Sequence, residues 1–277
     1  MRSEPDTSPS DGPLISVITP SFNQGVYIER TIQSVLRQAY QPVQHIVIDG
    51  GSTDNTVEVL RRYPHLTWVS EADRGQSDAL NKGLNMATGE IIGWINSDDY
   101  YHDNIFASVA AHFRDARTSW VVGNLANLFE DGSEPVFRRS PTITFEALAR
   151  GPDIVRQQST FFRRQALISV GAWNVDRYMA MDYDLWMKLA RVSPPRMVDE
   201  NWAYFRNHTA QKSGYANIMR QSAEIAAVMR RENVASRLIA SHRLKIRWYW
   251  LKGMVKERLI ALGIVPQRYR NRSMREE

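Results

Sequence analysis

Ile91-Ile92-Gly93-Trp94-Ile95-Asn96-Ser97-Asp98-Asp99 is the stretch on which the fold turns. Its short apolar run reads as a buried strand. The run closes on two adjacent carboxylates, which repel one another unless a cation or hydrogen-bond donors neutralise them. A hard divalent ion shared with phosphate oxygens is one solution. A polar turn with a helix cap is the other.

Three similar units precede it. Leu14–Thr19 reads as a strand closed by Pro20, and Ile28, Ile32, Val35 and Leu36 then recur on one helical face. Val43–Ile48 is a second strand, ending in Asp49-Gly50-Gly51-Ser52-Thr53-Asp54, with a helix over 55–63. Leu66–Ser70 is a third strand, followed by a helix over 77–87 that Gly89 ends. Strands alternating with helices predict an α/β fold, a mostly parallel sheet flanked by helices. Right-handed crossovers put all four strand ends on one edge, where ligands bind in such sheets. The polar clusters 20–23, 49–54, 71–75 and 96–99 sit at those ends.

The second half is less regular. A fifth strand is expected over 120–123, a hairpin over 125–138 around Asp131-Gly132, a helix from Asp182 to Arg191 and a strand over 203–205. From Tyr215 onward the pattern is helical, with Trp248, Leu251, Val255, Leu259 and Leu262 as an apolar stripe.

The 277 residues are 43% hydrophobic, enough for one large domain with an appendage. The absence of cysteine excludes disulfides, thiolate metal sites and cysteine nucleophiles, and fits a reducing compartment. No run of about 18 apolar residues exists. The first thirteen residues lack the apolar stretch of a secretion signal and read as a mobile tail. The net charge of +5 is uneven: from Arg230 onward thirteen Lys/Arg face four Asp/Glu, which leaves the body acidic. That weighs against a nucleic-acid partner.

Asp49 ends the second strand; its carboxylate either accepts from a base or ribose or holds the Gly-Gly turn. No P-loop or GxGxxG fingerprint is present. In Met181-Asp182-Tyr183-Asp184-Leu185-Trp186 the two carboxylates at i and i+2 do not share a helix face. One points into a site while the other caps, or Asp182 is only the cap. His208, in Arg206-Asn207-His208-Thr209, follows a strand and is either structural or a ligand. The tryptophans, Trp186 among them, read as core or pocket walls.

Taken together, Ile18-Thr19-Pro20-Ser21-Phe22-Asn23, the 49–54 cluster, Asp73-Arg74-Gly75-Gln76-Ser77-Asp78-Ala79-Leu80-Asn81-Lys82-Gly83, Ala87-Thr88-Gly89-Glu90 and Asn96-Ser97-Asp98-Asp99 resemble glycosyltransferase family 2 in order and spacing. The similarity covers about residues 14 to 210. It implies a GT-A fold, a nucleotide-sugar donor, often UDP-linked, and a divalent metal, Mn or Mg, as cofactor. By that resemblance Thr19, Pro20, Ser21, Asn23, Asp49, Asp73, Gln76, Lys82 and Asp98 line the nucleotide. Asp98 and Asp99 share ribose and metal contacts, His208 lies near the metal and diphosphate, and Asp182 is the general base. From their place between the acidic turn and Asp182, Gln158 and Ser159, in Gln157-Gln158-Ser159-Thr160, are acceptor-side candidates, with a structural strand as the other reading; Trp186 is the third candidate.

Three departures stand out. Asn96 occupies the place of the first Asp of the family's DxD motif, Met181 that of a Glu before the base, and Leu244 that of the Gln in the Gln-x-x-Arg-Trp of processive members. The expectation is a non-processive, inverting transferase acting on a saccharide or lipid-linked acceptor in polysaccharide or glycoconjugate biosynthesis. It would be cytoplasmic, at the inner face of the membrane if residues 240–277 lie on it, where Arg243, Lys245, Arg247, Lys252 and Lys256 mix with tryptophans. The alternative is that the stripe packs on the catalytic domain, or on a second subunit in a homodimer, and leaves the basic face solvated. The domain expectation is a tail over 1–13, a catalytic domain over 14–214 and a basic helical extension over 215–277. The catalytic domain divides into a nucleotide-binding half over 14–100 and an acceptor-side half over 101–214. The rival readings are a non-catalytic binder on the same fold and a sugar-nucleotide nucleotidyltransferase. The latter calls for a Gly-rich, Lys/Arg-bearing loop after the first strand.

Overall fold

The apolar runs become strands, the first and fourth buried throughout and the third, at the sheet edge, partly exposed. In a computed structural model, residues 12–151, 154–208, 217–262 and 264 are described. The expected N-terminal tail, except residues 12 and 13, and residues 265–277 of the basic segment lie outside them. The chain divides into two units after His208.

In the first unit β1 (Ile15–Ser21), α1 (Ile28–Leu36), β2 (Val43–Asp49), α2 (Thr56–Arg61), β3 (Thr67–Ser70), α3 (Gln76–Met86) and β4 (Ile91–Trp94) alternate as expected. β5 (Tyr100–Tyr101), α4 (Phe106–His112), β6 (Trp120–Phe129), β7 (Val136–Arg138) and α5 (Phe145–Arg150) follow. A 3-10 turn (Gln157–Ser159), β8 (Thr160–Arg163), α6 (Arg164–Ser169), α7 (Met181–Val192) and β9 (Arg196–Asn207) complete it. The sheet order is β3-β2-β1-β4-β8-β6-β9-β5, with β7 on β6. Pairing is parallel from β3 to β4 and between β6 and β9, and antiparallel where β8, β5 and β7 enter. The fold is GT-A. Ile15, Val17, Ile91, Phe106, Val121, Phe161 and Trp202 join one core, while Ile28, Ile32, Val47, Val59 and Leu60 fill another.

Four local expectations are corrected. β1 runs through Pro20. Ile18 O accepts from Ile95 N–H, so Ile18 and Pro20 face β4, whereas Ser21 O accepts from Gly50 on the β2 side. β4 ends at Trp94, opposite Ile18, so no partner needs the N–H that Pro20 lacks. Leu36 is exposed rather than on the buried face of α1. At 100° per residue it lies about 80° from Ile28. β6 is one strand of ten residues whose far half forms the hairpin with β7, turning at Gly132, φ 73°. β9 is also longer than expected, because parallel pairing to β6 extends it to Arg196.

In the second unit α8 (Ile218–Arg231) and α9 (Ser236–Ala261) pack on one another, with Ser222 Oγ and His242 Nε2 3.2 Å apart. Among the described residues no helix is long and apolar enough to cross a membrane.

Candidate active site

The carboxyl ends of β1, β2 and β3 are laced together by side chains. Asp49, buried at the end of β2, accepts from Ser52 N–H at 2.9 Å, Ser52 Oγ at 2.5 Å and Ser70 Oγ at 2.7 Å. Its carboxylate therefore holds the Gly-Gly loop. A Cβ on Gly50 would stand 2.9 Å from Asp73 Oδ2, so the third cluster closes on the second with no room for a side chain unless Asp73 shifts. Asp73 Oδ1 in turn accepts from Gly75 N–H at 2.7 Å. Three consecutive amides of the loop after β1 are consumed. Asn23 N–H donates to Ser52 Oγ (2.7 Å), Gln24 N–H to Thr56 Oγ1 (3.1 Å) and Gly25 N–H to Asp54 Oδ2 (2.9 Å). Burial opposes the charge of Asp54, but hydrogen bonds from Thr56 and from the Gly25 and Thr56 amides outweigh it and hold the pKa below the usual range. With these three consecutive amides occupied, the loop does not present the run of free N–H groups that cradles a triphosphate. Ser21 Oγ is buried and has no hydrogen-bond partner among the described residues.

The turn after β4 is the hub. Thr31 Oγ1 on α1 lies 2.9 Å from Ser97 O and 2.6 Å from Asp99 O, fixing the backbone of the acidic pair. The two carboxylates then part. Asp99 is buried, accepting from Gln158 Nε2 at 3.0 Å and from Arg206 N–H on β9 at 2.9 Å. Burial first, and the neighbouring Asp98 second, push its carboxyl well above the usual range. Asp98 is partly exposed, and its Oδ2 stands 3.0 Å from His208 Nε2. The His208 ring packs at 4.5 Å on Tyr27, over which the Arg206 guanidinium lies at 4.9 Å.

Asn96 connects this hub to the next helices. Its Oδ1 accepts from Trp94 Nε1 (2.9 Å) and Gln76 Nε2 (2.8 Å), and its Nδ2 donates to Gln157 Oε1 (3.2 Å). Beside Gln76 on α3, Ser77 Oγ lies 3.3 Å from Met181 Sδ at the start of α7. Asp182 follows directly, half-buried, its Oδ1 accepting from Tyr183 N–H at 2.7 Å. A thioether in place of a second acid thus accepts from Ser77 of α3, and two contacts, Ser77–Met181 and Gln76–Asn96, lie between Asp182 and the acidic turn. Asp184, the other carboxylate of α7, is fully buried and pairs with Lys188 at 3.2 Å.

The remaining candidates are more dispersed. Thr19 is buried, its Oγ1 3.0 Å from His45 Nε2. Lys82 pairs with Glu71 at 2.7 Å and Asp78 at 3.6 Å. Ser159 Oγ is buried and donates to Asn124 O, and Trp186 is enclosed by the rings of Trp94, Trp120 and Phe162. Neither presents a surface to solvent. Tyr27, Thr31 and Arg206 were not singled out in the sequence. Arg206 was the most findable, since residues i and i+2 of a strand share a face and His208 follows it.

The donor set suits a divalent metal. Two ligands about 2.1 Å from one ion at right angles stand about 3 Å apart, the spacing of Asp98 Oδ2 and His208 Nε2. Among the described residues no group of three His, Asp or Glu side chains converges. Mg-type sites commonly take only one or two carboxylates and complete the shell with substrate phosphates and water.

Residues 16–173 match the family profile described as Glycosyl transferase family 2. An uncharacterized glycosyltransferase of Mycobacterium tuberculosis is 29% identical over 194 residues, 67% of this chain and 72% of that one. In fold, residues 1–349 of S. aureus TarS in complex with UDP are similar with a TM-score of 0.61 at 17% identity, over 93% of this chain and 77% of that fragment. The mannosyltransferase PcManGT from Pyrobaculum calidifontis, in complex with GDP-Man and Mn2+, gives 0.62 at 20% identity, over 92% and 76%.

Proposed function

Because the chain belongs to glycosyltransferase family 2, we propose that it is an inverting, metal-assisted transferase moving one sugar from a UDP-linked donor to a hydroxyl of a saccharide or lipid-linked acceptor. The setting is polysaccharide or glycoconjugate synthesis on the cytoplasmic side. The carrying observation is the turn after β4. It sets Asp98 against His208 and, through Asn96, Gln76, Ser77 and Met181, ties that pair to the helix start that bears Asp182.

On this reading residues 14–100 seat the nucleotide and 101–214 the acceptor. The base and ribose occupy the edge formed by residues 19–23, 49–54 and 73–76, with Asp49 and Asp73 shaping the loops and Ser21 Oγ offering an unused hydroxyl. Asp98 and His208 hold the metal, Mn or Mg, while Asp99 fixes β9 behind them. The ion, when bound, offsets charge on the departing diphosphate. Asp182 takes the proton of the acceptor hydroxyl. The acceptor oxygen then forms its bond to the anomeric carbon as the bond to the diphosphate oxygen breaks, and the leaving diphosphate keeps the electron pair.

A panel of UDP- and GDP-sugars, with nucleotide release as readout, tests the reading. Slow donor hydrolysis without acceptor already separates an enzyme from a binding protein. No release with any donor, with or without Mn, would favour the non-catalytic reading. The consumed amides of the loop after β1 disfavour a nucleotidyltransferase.

A further inference from the structure

We infer that the outward face of α9 is a docking surface for an anionic lipid bilayer. The inference stands apart from the glycosyl-transfer reading, since it uses no residue of the site.

Leu244, Trp248, Leu251 and Val255 on α9, and Leu262 just after it, are 48–66% exposed. Their spacings of four, three, four and seven residues put them on one face. At 100° per residue, Arg247 and Arg258 lie about 40–60° to one side of Leu244, and Lys252 and Lys245 about 80–100° to the other. All four cations are exposed. Lys252 Nζ sits 5.0 Å over the Trp248 ring and Lys245 Nζ 5.6 Å over Tyr249. The opposite face is already used: Ile239 and His242 are buried, and His242 meets Ser222 of α8. One face is spent within the helical unit, and the other is an apolar stripe edged on both sides by cations.

Charge decides the occupant. Across α9 seven Lys/Arg stand against one acid, Glu257. A second copy laid on this stripe would bring the same cations face to face, with almost no carboxylate to pair them. A nucleic acid would meet the cations but leave the apolar stripe in water. An anionic bilayer satisfies both, taking the stripe into its headgroup–acyl boundary and the flanking cations against its phosphates. The helix lies on the surface, since it is not apolar enough to cross.

The test is co-sedimentation of the full chain with vesicles of phosphatidylcholine alone and of phosphatidylcholine mixed with phosphatidylglycerol, at low and high salt. The expected result is binding to the mixed vesicles, weakened by salt, with a blue shift of tryptophan emission. Lys245→Glu/Lys252→Glu should weaken binding by at least about fivefold per cation, and Trp248→Glu/Leu251→Glu should abolish it. Circular dichroism and UDP titration should be unchanged in both variants, since these side chains are exposed and lie outside the nucleotide site. Failure to bind mixed vesicles, or equal binding by Trp248→Glu/Leu251→Glu, overturns the inference. So does a wild-type dimer that this variant dissolves while vesicles bind neither protein. Donor hydrolysis is scored separately, so either reading can fail alone.

Discussion

His208 Nε2 and Asp98 Oδ2 stand 3.0 Å apart, although 110 residues separate them in the chain. β9 delivers the histidine and the turn after β4 the carboxylate, and Asp99 locks the two together through the Arg206 amide. If this pair holds the metal, Asp98→Asn and His208→Ala should each weaken Mn-dependent UDP binding by at least about tenfold, or 1.4 kcal/mol. Isothermal titration checks this. In EDTA, wild type and variants should converge on one weak affinity. A variant that keeps the full response to Mn would take its residue out of the site.

Asp182 is set for a different effect. It is tied to the acidic turn through Met181, Ser77, Gln76 and Asn96, and in the proposed mechanism it acts on the acceptor and not on the nucleotide. Asp182→Asn should cut turnover by at least about 100-fold, the lower end of what a general base contributes. UDP affinity should stay within about twofold of wild type on the same account. Near-normal turnover would mean that another group takes the proton.

The neutral residue at position 96 is used as an amide. Its oxygen faces two donors, and its nitrogen faces Gln157 Oε1. Gln157 cannot turn over to help, because its own Nε2 is donated to Trp94 O at 2.7 Å. Asn96→Asp would set two acceptors against each other and should cost about 1–3 kcal/mol. Urea unfolding in EDTA measures it. Unchanged stability would show that the network is dispensable.

The first half of this fold was legible because each strand is bounded by its own polar cluster and each helix by its apolar spacing. Parallel pairing then brings those clusters to one edge without any distant contact being known. The second half was less so. The full lengths of β6 and β9 come from pairing with each other, which no local pattern encodes. The site divides the same way. Asp49, Asp98, Asp99 and Asp182 stand out as carboxylates at element ends. Which member of the Asp98-Asp99 pair turns inward depends on Gln158 and on a β9 amide, both distant in sequence. Nor does the sequence show that Ser159 faces inward, or that Trp186 joins the core and not a pocket wall, because burial is decided by the sheet that forms around them.

His45 offers a test of the core rather than of the site. It lies on β2, fully buried, with Nε2 against Thr19 Oγ1 at 3.0 Å and Nδ1 without a partner among the described residues. Protonation would add a second N–H with no acceptor. Burial first, and the nearby His65 second, lower its pKa from 6.5 to about 3. The unfolded chain therefore binds a proton that the folded chain refuses between those values. Stability is fully present above about pH 6.5 and falls as pH drops toward 3. His45→Gln keeps a partner for Thr19 but does not titrate. Between pH 7 and pH 4.5 wild type should lose about 2 kcal/mol more than this variant, two pH units at about 1.4 kcal/mol each being the ceiling. Urea unfolding at the two pH values gives the difference directly. Equal losses would mean that His45 is protonated in the folded protein, or that Thr19 and its surroundings rearrange to accept the charge.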